Sequence, residues 1–358
     1  MAKQRYVALD AMRGLTLALM VLVNTPGSWS YVYAPLLHAD WHGATFTDYI
    51  FPFFLFIVGS AMFFSNRSQA SIPYSVRTVK IIKRTALMFL IGLLLNFYPF
   101  SGSVDELRIL GVLQRIALAY CAAAFIVWLP GVARLMISAT LLLGYWGLMN
   151  LVDDPYGLTG NIVRQIDLAV LGADHLWQGK GLAFDPEGVL STFPAIVNVI
   201  FGFEAARMLI ASENKAKAQI KLVIVAVASI AVALTWHQVF PINKSLWTSS
   251  FVLLTSGAAI LVLLALVQLE KLSLARSLEV GFAQLGKNPL FIYILSIVWV
   301  KSYYLFSVDG QSLYQFIFQA FNSFLNEYNA SLAFALIHVA ILWLVAWWMD
   351  KKKIVISI

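Results

Sequence analysis

Apolar runs of roughly twenty residues recur along nearly the whole chain, separated by short polar stretches. At 1.5 Å of rise per residue, a helical run of about 20 residues crosses a hydrocarbon core of about 30 Å while satisfying its own backbone. The pattern predicts helices at 9–26, 47–65, 81–98, 109–129, 134–151, 189–210, 221–240, 248–269, 289–306 and 331–349. A further stretch, 312–326, is apolar and aromatic but short and spotted with Asn and Gln. It reads as an amphipathic helix on the outer surface, with an eleventh span as the other reading. The expected fold is all-α, one polytopic membrane domain over residues 1–358 with about ten spans. Asp10 and Arg13 interrupt the first run and no small-residue cleavage site follows it, so it reads as a retained helix.

Composition sharpens this reading. The chain is 60% hydrophobic and 12% charged, with a mean hydropathy of +0.79, where a soluble domain is about half apolar and a quarter charged. The net charge of +7 could suit nucleic acid, but its placement argues otherwise. With a cytoplasmic amino terminus, only Arg108, Arg115, Arg164, Lys180, Lys244 and Lys301 of the 25 basic residues fall outside. That asymmetry follows the positive-inside rule with both termini cytoplasmic, and no nucleic-acid partner is needed. The loop 66–80 and the basic tail Lys351–Lys353 are then inside, and 152–188 is the longest outside loop. Carboxylates favour the outer side, among them Asp40, Asp48, Asp153, Asp167, Asp185 and Glu187. They would attract a cationic amine, or merely solvate the surface. Cys121, the single cysteine, lies in an apolar run and reads as a packed thiol.

The first hairpin holds the densest chemistry. Ionisable side chains at membrane depth are costly and call for partners. Asp10 and Arg13 are spaced i, i+3 and can pair with each other or meet a ligand. Asn24 precedes Pro26 and Gly27, which end the helix and free backbone groups that must line a polar cavity. His38 and His42 follow in HADWHG, and Asp48 opens the next span. Histidine suits acyl transfer because its ordinary pKa lies near neutrality, so it can take a proton from an amine and return one to a thiolate. Asp48 is placed to orient that imidazole, or to complement a helix dipole. The spacings of the five histidines match no metal signature, and neither GxSxG nor a P-loop occurs.

Further along, Arg108 and Arg115 are seven apart and share a helix face, with Asp48, Asp185 or Glu187 as expected partners for Arg115. The DPEG turn offers Asp185 and Glu187 for an ammonium or sugar hydroxyls, or for capping a helix. Asn243, Lys244 and Trp247 in NKSLW combine amide, cation and aromatic face, as sugar sites do and as interfacial anchors also do. His175 ranks second among the histidines; His237 and His338 read as core residues.

Seven ordered segments carry a family resemblance: LDAMRGLTLALMVLVN, LLHADWHG, FTDYIFPFFLFIVGSAM, LRILGVLQRIALAY, FDPEGVLSTFPAIVNVIFGFEA, NKSLWTSSFVLLTSG and LGKNPLFIYI. Together they resemble the heparan-alpha-glucosaminide N-acetyltransferase family and its bacterial glucosamine acetyltransferase relatives, from about residue 5 to the carboxyl end. The resemblance implies a transmembrane enzyme moving acetyl from cytoplasmic acetyl-CoA to a glucosamine amine on the opposite face. His38 matches the family's catalytic histidine, Asn24 the asparagine closing the first-helix block, and Asp48 the aspartate opening the PFFLF helix. The turn after Asn24 is longer here, and His42 stands where asparagine is common.

These readings set the expectations for the site. His38, Asp48 and Asn24 are the catalytic candidates. Trp41, Arg115, Asp185, Glu187, Asn243, Lys244 and Trp247 are the candidates for holding the amino sugar. Arg13, Lys83, Arg84 and Lys287 are expected at a basic inner mouth for the CoA phosphates, although each also serves topology. No metal is expected. The lipid bilayer, acetyl-CoA and an amino-sugar acceptor are the expected partners, a homodimer is compatible, and a bacterial inner membrane is the expected location. The rival readings are an amino-sugar or glycan permease, with a polar midplane path and no bond made, and a membrane O-acyltransferase of glycans.

Overall fold

A computed structural model describes residues 6–272 and 276–356. Lys3 and Arg5, which enter the charge asymmetry, lie outside the described residues. In chain order the helices are α1 (Val7–Asn24), α2 (Ile50–Ser68), α3 (Tyr74–Phe97), α4 (Val112–Ile126), α5 (Gly131–Met149), α6 (Ile162–Leu171) and α7 (Thr192–Ala211). They continue as α8 (Lys215–Trp236), α9 (Ser249–Leu269), α10 (Arg276–Gly286), α11 (Pro289–Ser302), α12 (Leu313–Asn322) and α13 (Glu327–Lys351). A small antiparallel pair, β1 (Ser307–Val308) and β2 (Gln311–Ser312), precedes α12.

Every expected span coincides with a helix, but the helices are not equivalent. Among the described residues, seven stretches are long and apolar enough to cross a membrane: α1, Phe46–Ser68, α5, α7, α8, α9 and α13. Glu279–Gly286 and Pro289–Leu305 pass together as an eighth, bent by 80°. At the bend Asn288 precedes Pro289, whose ring cannot continue the helix's hydrogen bonds. The Asn288 side chain bonds there to Ile354 O and Ile356 N at 3.0 and 2.7 Å. Of the remaining two, α3 has 24 residues but carries Arg77, Lys80, Lys83 and Arg84 in its first half, and α4 has 15. The 312–326 stretch forms α12, whose 10 residues reach only about 15 Å, too short to cross. The loop 152–188 contains α6, which Asn161 caps by accepting from Arg164 N at 2.8 Å.

The packing divides the chain into two compact units. The first holds the described residues of Met1–Ala39, Thr45–Phe51 and Val262–Ser357; the second holds Asp40–Ala44 and Pro52–Leu261. In the first, α1 packs along α10 and α13, and α12 lies on α13. In the second, α4 packs between α3 and α7, and α5 and α8 flank α7.

Each unit has a crossing where glycine permits backbone contact, as small residues do between membrane helices. A Cβ on Gly14 would collide with Phe282 O in the first unit, and a Cβ on Gly202 with Phe56 O in the second. Backbone cannot yield as a side-chain tip can. Gly202→Ala is therefore expected to cost about 1–3 kcal/mol. Thermal unfolding of the detergent-solubilised chain measures it, and an unchanged midpoint would contradict the backbone-to-backbone approach.

Candidate functional site

In the first unit the chain turns into the second span through a short 3-10 segment, Phe46–Tyr49, closed by a capping box between Thr45 and Asp48. Asp48 is 1% exposed, and its Oδ2 accepts from Thr45 N at 2.8 Å and Ala39 N at 3.1 Å. Its Oδ1 lies 2.6 Å from His38 Nδ1. A carboxylate receiving two backbone N–H groups acts as an acceptor, so the facing Nδ1 carries a proton. In the neutral imidazole Nε2 then holds the lone pair. His38 itself is 47% exposed. The arrangement pairs a reachable base nitrogen with a buried orienter, two members of a nucleophile-base-orienter array.

Asn24, the last residue of α1, is exposed, and its amide makes no hydrogen bond among the described residues. The backbone beyond it is satisfied by helices from the far end of the chain. Gly27 N donates to Ser331 O and Ser28 N to Ser331 Oγ, both at 3.1 Å, while Tyr314 OH donates to Pro26 O. The freed groups at this turn are thus taken up by protein.

In the second unit the two arginines divide their roles differently from expectation. Arg108 reaches Asp185 with Nε and Nη2 at 2.9 and 2.7 Å, and Glu187 with Nη2 at 2.6 Å. Burial alone would lower the Arg108 pKa, but the two carboxylates outweigh it and raise it. Burial would likewise raise Glu187, yet Arg108, Arg115 and Lys244 hold it below the usual carboxylate range. Arg115, with no exposed surface, forms none of the anticipated ion pairs among the described residues. It lies over the Trp247 ring, 4.8 Å from the centroid, and bonds to Ser191 Oγ and Gly188 O. The carboxylates are already taken by Arg108, and a planar guanidinium stacks readily on an indole.

Asp167, on α6, belongs to the same buried group, although the sequence placed it only among the carboxylates of the 152–188 loop and not among the site candidates. Its Oδ1 accepts from Val189 N at 2.8 Å, whereas Oδ2 has no hydrogen-bond partner among the described residues. Burial, together with the Asp185 charge, pushes it up to about 7, against the opposing pull of Val189 N–H and Arg115. Helical periodicity could have found it, because Val163 and Asp167 share the buried face of α6.

The segment after His38 is clasped by the loops around Tyr156, Phe184 and Ile242. Trp41 Nε1 donates to Tyr156 O at 2.7 Å, and its ring meets Phe184 edge-on. Gly43 N donates to Ile242 O at 2.7 Å, and Asn243 Nδ2 lies 3.3 Å from His42 Nδ1. Asn243 and Trp247 are buried, with Trp247 Nε1 spent on Asn198 Oδ1 at 3.0 Å. Lys244 is half-buried. Trp41, His42 and Lys244 are therefore the more accessible members of this group. His175 Nδ1 bonds to Leu107 O at 2.8 Å and ties α6 to the loop before α4.

Of the four cations expected at a CoA mouth, Lys83 and Arg84 line a cavity of about 310 Å³ formed by α2, α3 and α4. Arg77 and Lys80, which the sequence reading left out of the site, line it too. Their i, i+3, i+7 spacing with Arg84 was the available signal. Arg77 sits 4.9 Å from the Trp128 centroid and bonds to Asn66, and Arg84 sits 4.9 Å from the Tyr120 centroid. Arg13 instead pairs with Asp10 at 2.8 Å and donates to Gly286 O at 3.1 Å, while Lys287 pairs with Asp350. Those two cations belong to the first unit and do not line this cavity.

The comparisons with known proteins converge on one family. Over 81% of its length the chain is 29% identical to human heparan-alpha-glucosaminide N-acetyltransferase. It is 28% identical to the mouse protein over the same share. It spans about half the length of these relatives, 52% and 53%. A family model described as heparan-alpha-glucosaminide N-acetyltransferase, catalytic, matches residues 5–220, a stretch that contains His38, Asp48, the Arg108 cluster and the basic cavity. The chain therefore belongs to the family of the heparan-alpha-glucosaminide N-acetyltransferase catalytic region.

Proposed function

We propose that this chain is a membrane acetyltransferase that moves acetyl from acetyl-CoA to the amine of glucosamine or a related amino sugar. The observation that carries the proposal is the imidazole of His38, oriented through Nδ1 by buried Asp48. His38 Nε2 takes the proton from the acceptor ammonium, and the amine nitrogen then attacks the thioester carbonyl. The C–N bond forms, the C–S bond breaks, the imidazolium returns its proton to the CoA thiolate, and the nitrogen's second surplus proton leaves to water. Transient acetylation of Nε2 is the other route open to the same imidazole. Asn24 is assigned to positioning the acetyl carbonyl or the imidazole. Trp41, Arg115, Asp185, Glu187, Asn243, Lys244 and Trp247 are assigned to the acceptor region, with Asn243 and Trp247 supporting it from the core.

The CoA phosphates dock in the cationic cavity of Arg77, Lys80, Lys83 and Arg84, whose volume suits a small-molecule site. The expected topology follows: ten spans, both termini cytoplasmic, CoA entering from the cytoplasm and the sugar from the opposite face of a bacterial inner membrane. Arg13 and Lys287 are assigned to the same inner side.

Proteoliposomes with acetyl-CoA and glucosamine on opposite faces test the function. The expected result is an amide product with CoA supplied only to the cytoplasmic face. Ester formation would favour the O-acyltransferase reading, and sugar flux without transfer the permease. Removing one charge-assisted contact costs about 1.5–3 kcal/mol, so Arg84→Ala should weaken CoA roughly ten- to a hundredfold. Isothermal titration with CoA measures this, and unchanged affinity would take Arg84 out of the site.

A further inference from the structure

His42 lies in an exposed segment, but one side of its ring is tightly specified. Asn243 beneath it is fully buried and held at every polar atom. Its backbone N donates to Thr248 Oγ1 at 3.0 Å, and its carbonyl accepts from Thr248 N at 3.1 Å. Its side-chain Oδ1 accepts from Leu246 N at 2.8 Å. That last bond fixes the amide's orientation, because the flipped amide would set two donors against each other. The group facing His42 Nδ1 at 3.3 Å is therefore the Asn243 Nδ2 donor. Only an unprotonated Nδ1 can accept from it, so neutral His42 carries its proton on Nε2.

Nothing in the described protein takes that Nε2–H, and the ring is exposed. His237, at the end of α8, is constrained in the same way: its Nδ1 accepts from Ile242 N at 2.9 Å. Burial and the neighbouring His237 both hold His42 below the ordinary histidine range. Asp40 and Lys244 flank the pair in sequence, and Lys180 donates to Asp40 O at 2.7 Å. Protonating His42 would break its bond to Asn243 and set a cation beside a second imidazole.

We propose that His42 is a specificity residue for the acceptor, locked by Asn243 as the Nε2–H tautomer and donating a hydrogen bond to a ring hydroxyl of the amino sugar. The proposal rests on the amino-sugar acetyltransferase reading above. A neutral donor suits this acceptor because the sugar arrives as an ammonium, which an imidazolium would repel. Trp41, held by Tyr156 and Phe184, sets a fixed aromatic face one residue away.

Steady-state kinetics of the full chain in proteoliposomes, with glucosamine as probe acceptor, tests this. His42→Ala is expected to raise KM for glucosamine about five- to tenfold with kcat within about threefold, the scale of one neutral hydrogen bond. His42→Gln carries its amide N–H near the position of Nε2–H and should keep KM within about threefold. Asn243 is a positioning residue. Asn243→Asp offers Nδ1 an anionic acceptor and draws the ring proton to it, so neutral His42 loses its Nε2–H donor and KM should rise as in His42→Ala. A KM unchanged in His42→Ala, or raised equally by Gln and Ala, overturns the proposal. If the parent chain acetylates glucosamine, such a result removes only the role of His42. If the parent acetylates no amino sugar, the activity reading fails and takes this proposal with it.

Discussion

His38→Ala is expected to lower kcat for acetyl transfer by about 10²- to 10⁴-fold, the usual contribution of a positioned acid-base group. The expectation rests on the 2.6 Å contact with Asp48, whose other oxygen is fixed by Thr45 N and Ala39 N. Those bonds set the tautomer, so the effect should extend to the orienter. Asp48→Asn can turn its amide N–H toward Nδ1, which would move the imidazole proton to Nε2 and remove the base. CoA affinity and the unfolding midpoint should stay near those of the parent, because His38 is exposed and no packing is lost. Turnover of both variants with saturating acetyl-CoA measures the effect. If His38→Ala kept near-normal kcat while His42→Ala or His175→Ala lost it, the base would have to be reassigned to that residue.

The second large effect is on stability. Arg108→Ala strips the cation from two carboxylates, Asp185 with no exposed surface and Glu187 at 8%. Removing one partner of a buried ion pair costs about 3–5 kcal/mol, because the remaining charge is left without compensation. Arg108→Lys should not restore the loss, since an ammonium cannot reproduce the bidentate fork on Asp185. The triple variant Arg108→Met, Asp185→Asn, Glu187→Gln should recover part of it by removing the stranded charges. Thermal unfolding in detergent measures all three. A single variant as stable as the parent would mean that the cluster lies in a wetter environment than its burial indicates.

The sequence by itself determined the kind of solvent this chain needs and the places where it turns helical. Twenty-residue apolar runs admit only helices in a hydrocarbon environment, so each expected span coincides with a helix. It also determined the pairing of His38 with Asp48, because ten residues separate them and a capping box at Thr45 closes the turn locally. Short loops leave few ways to meet. Asp10 and Arg13, three apart on α1, were legible for the same reason.

Tertiary structure decided what sequence distance leaves open. Arg108, rather than Arg115, takes Asp185 and Glu187, because the segment before α4 and the 152–188 loop bring residues more than seventy positions apart into one buried group. Arg115 then finds the Trp247 face, so the tryptophan expected to meet a sugar supports an arginine in the core. The polar surface of Asn243 turned inward likewise, and the tautomer of His42 depends on that contact across two hundred residues. Basic residues carry no label for ligand or topology in sequence. Four of them became a cavity only when α2, α3 and α4 packed, while Arg13 and Lys287 found carboxylates nearer to hand. Periodicity is a local property and survives in the sequence, whereas the choice of partner among like charges is settled by which helices touch.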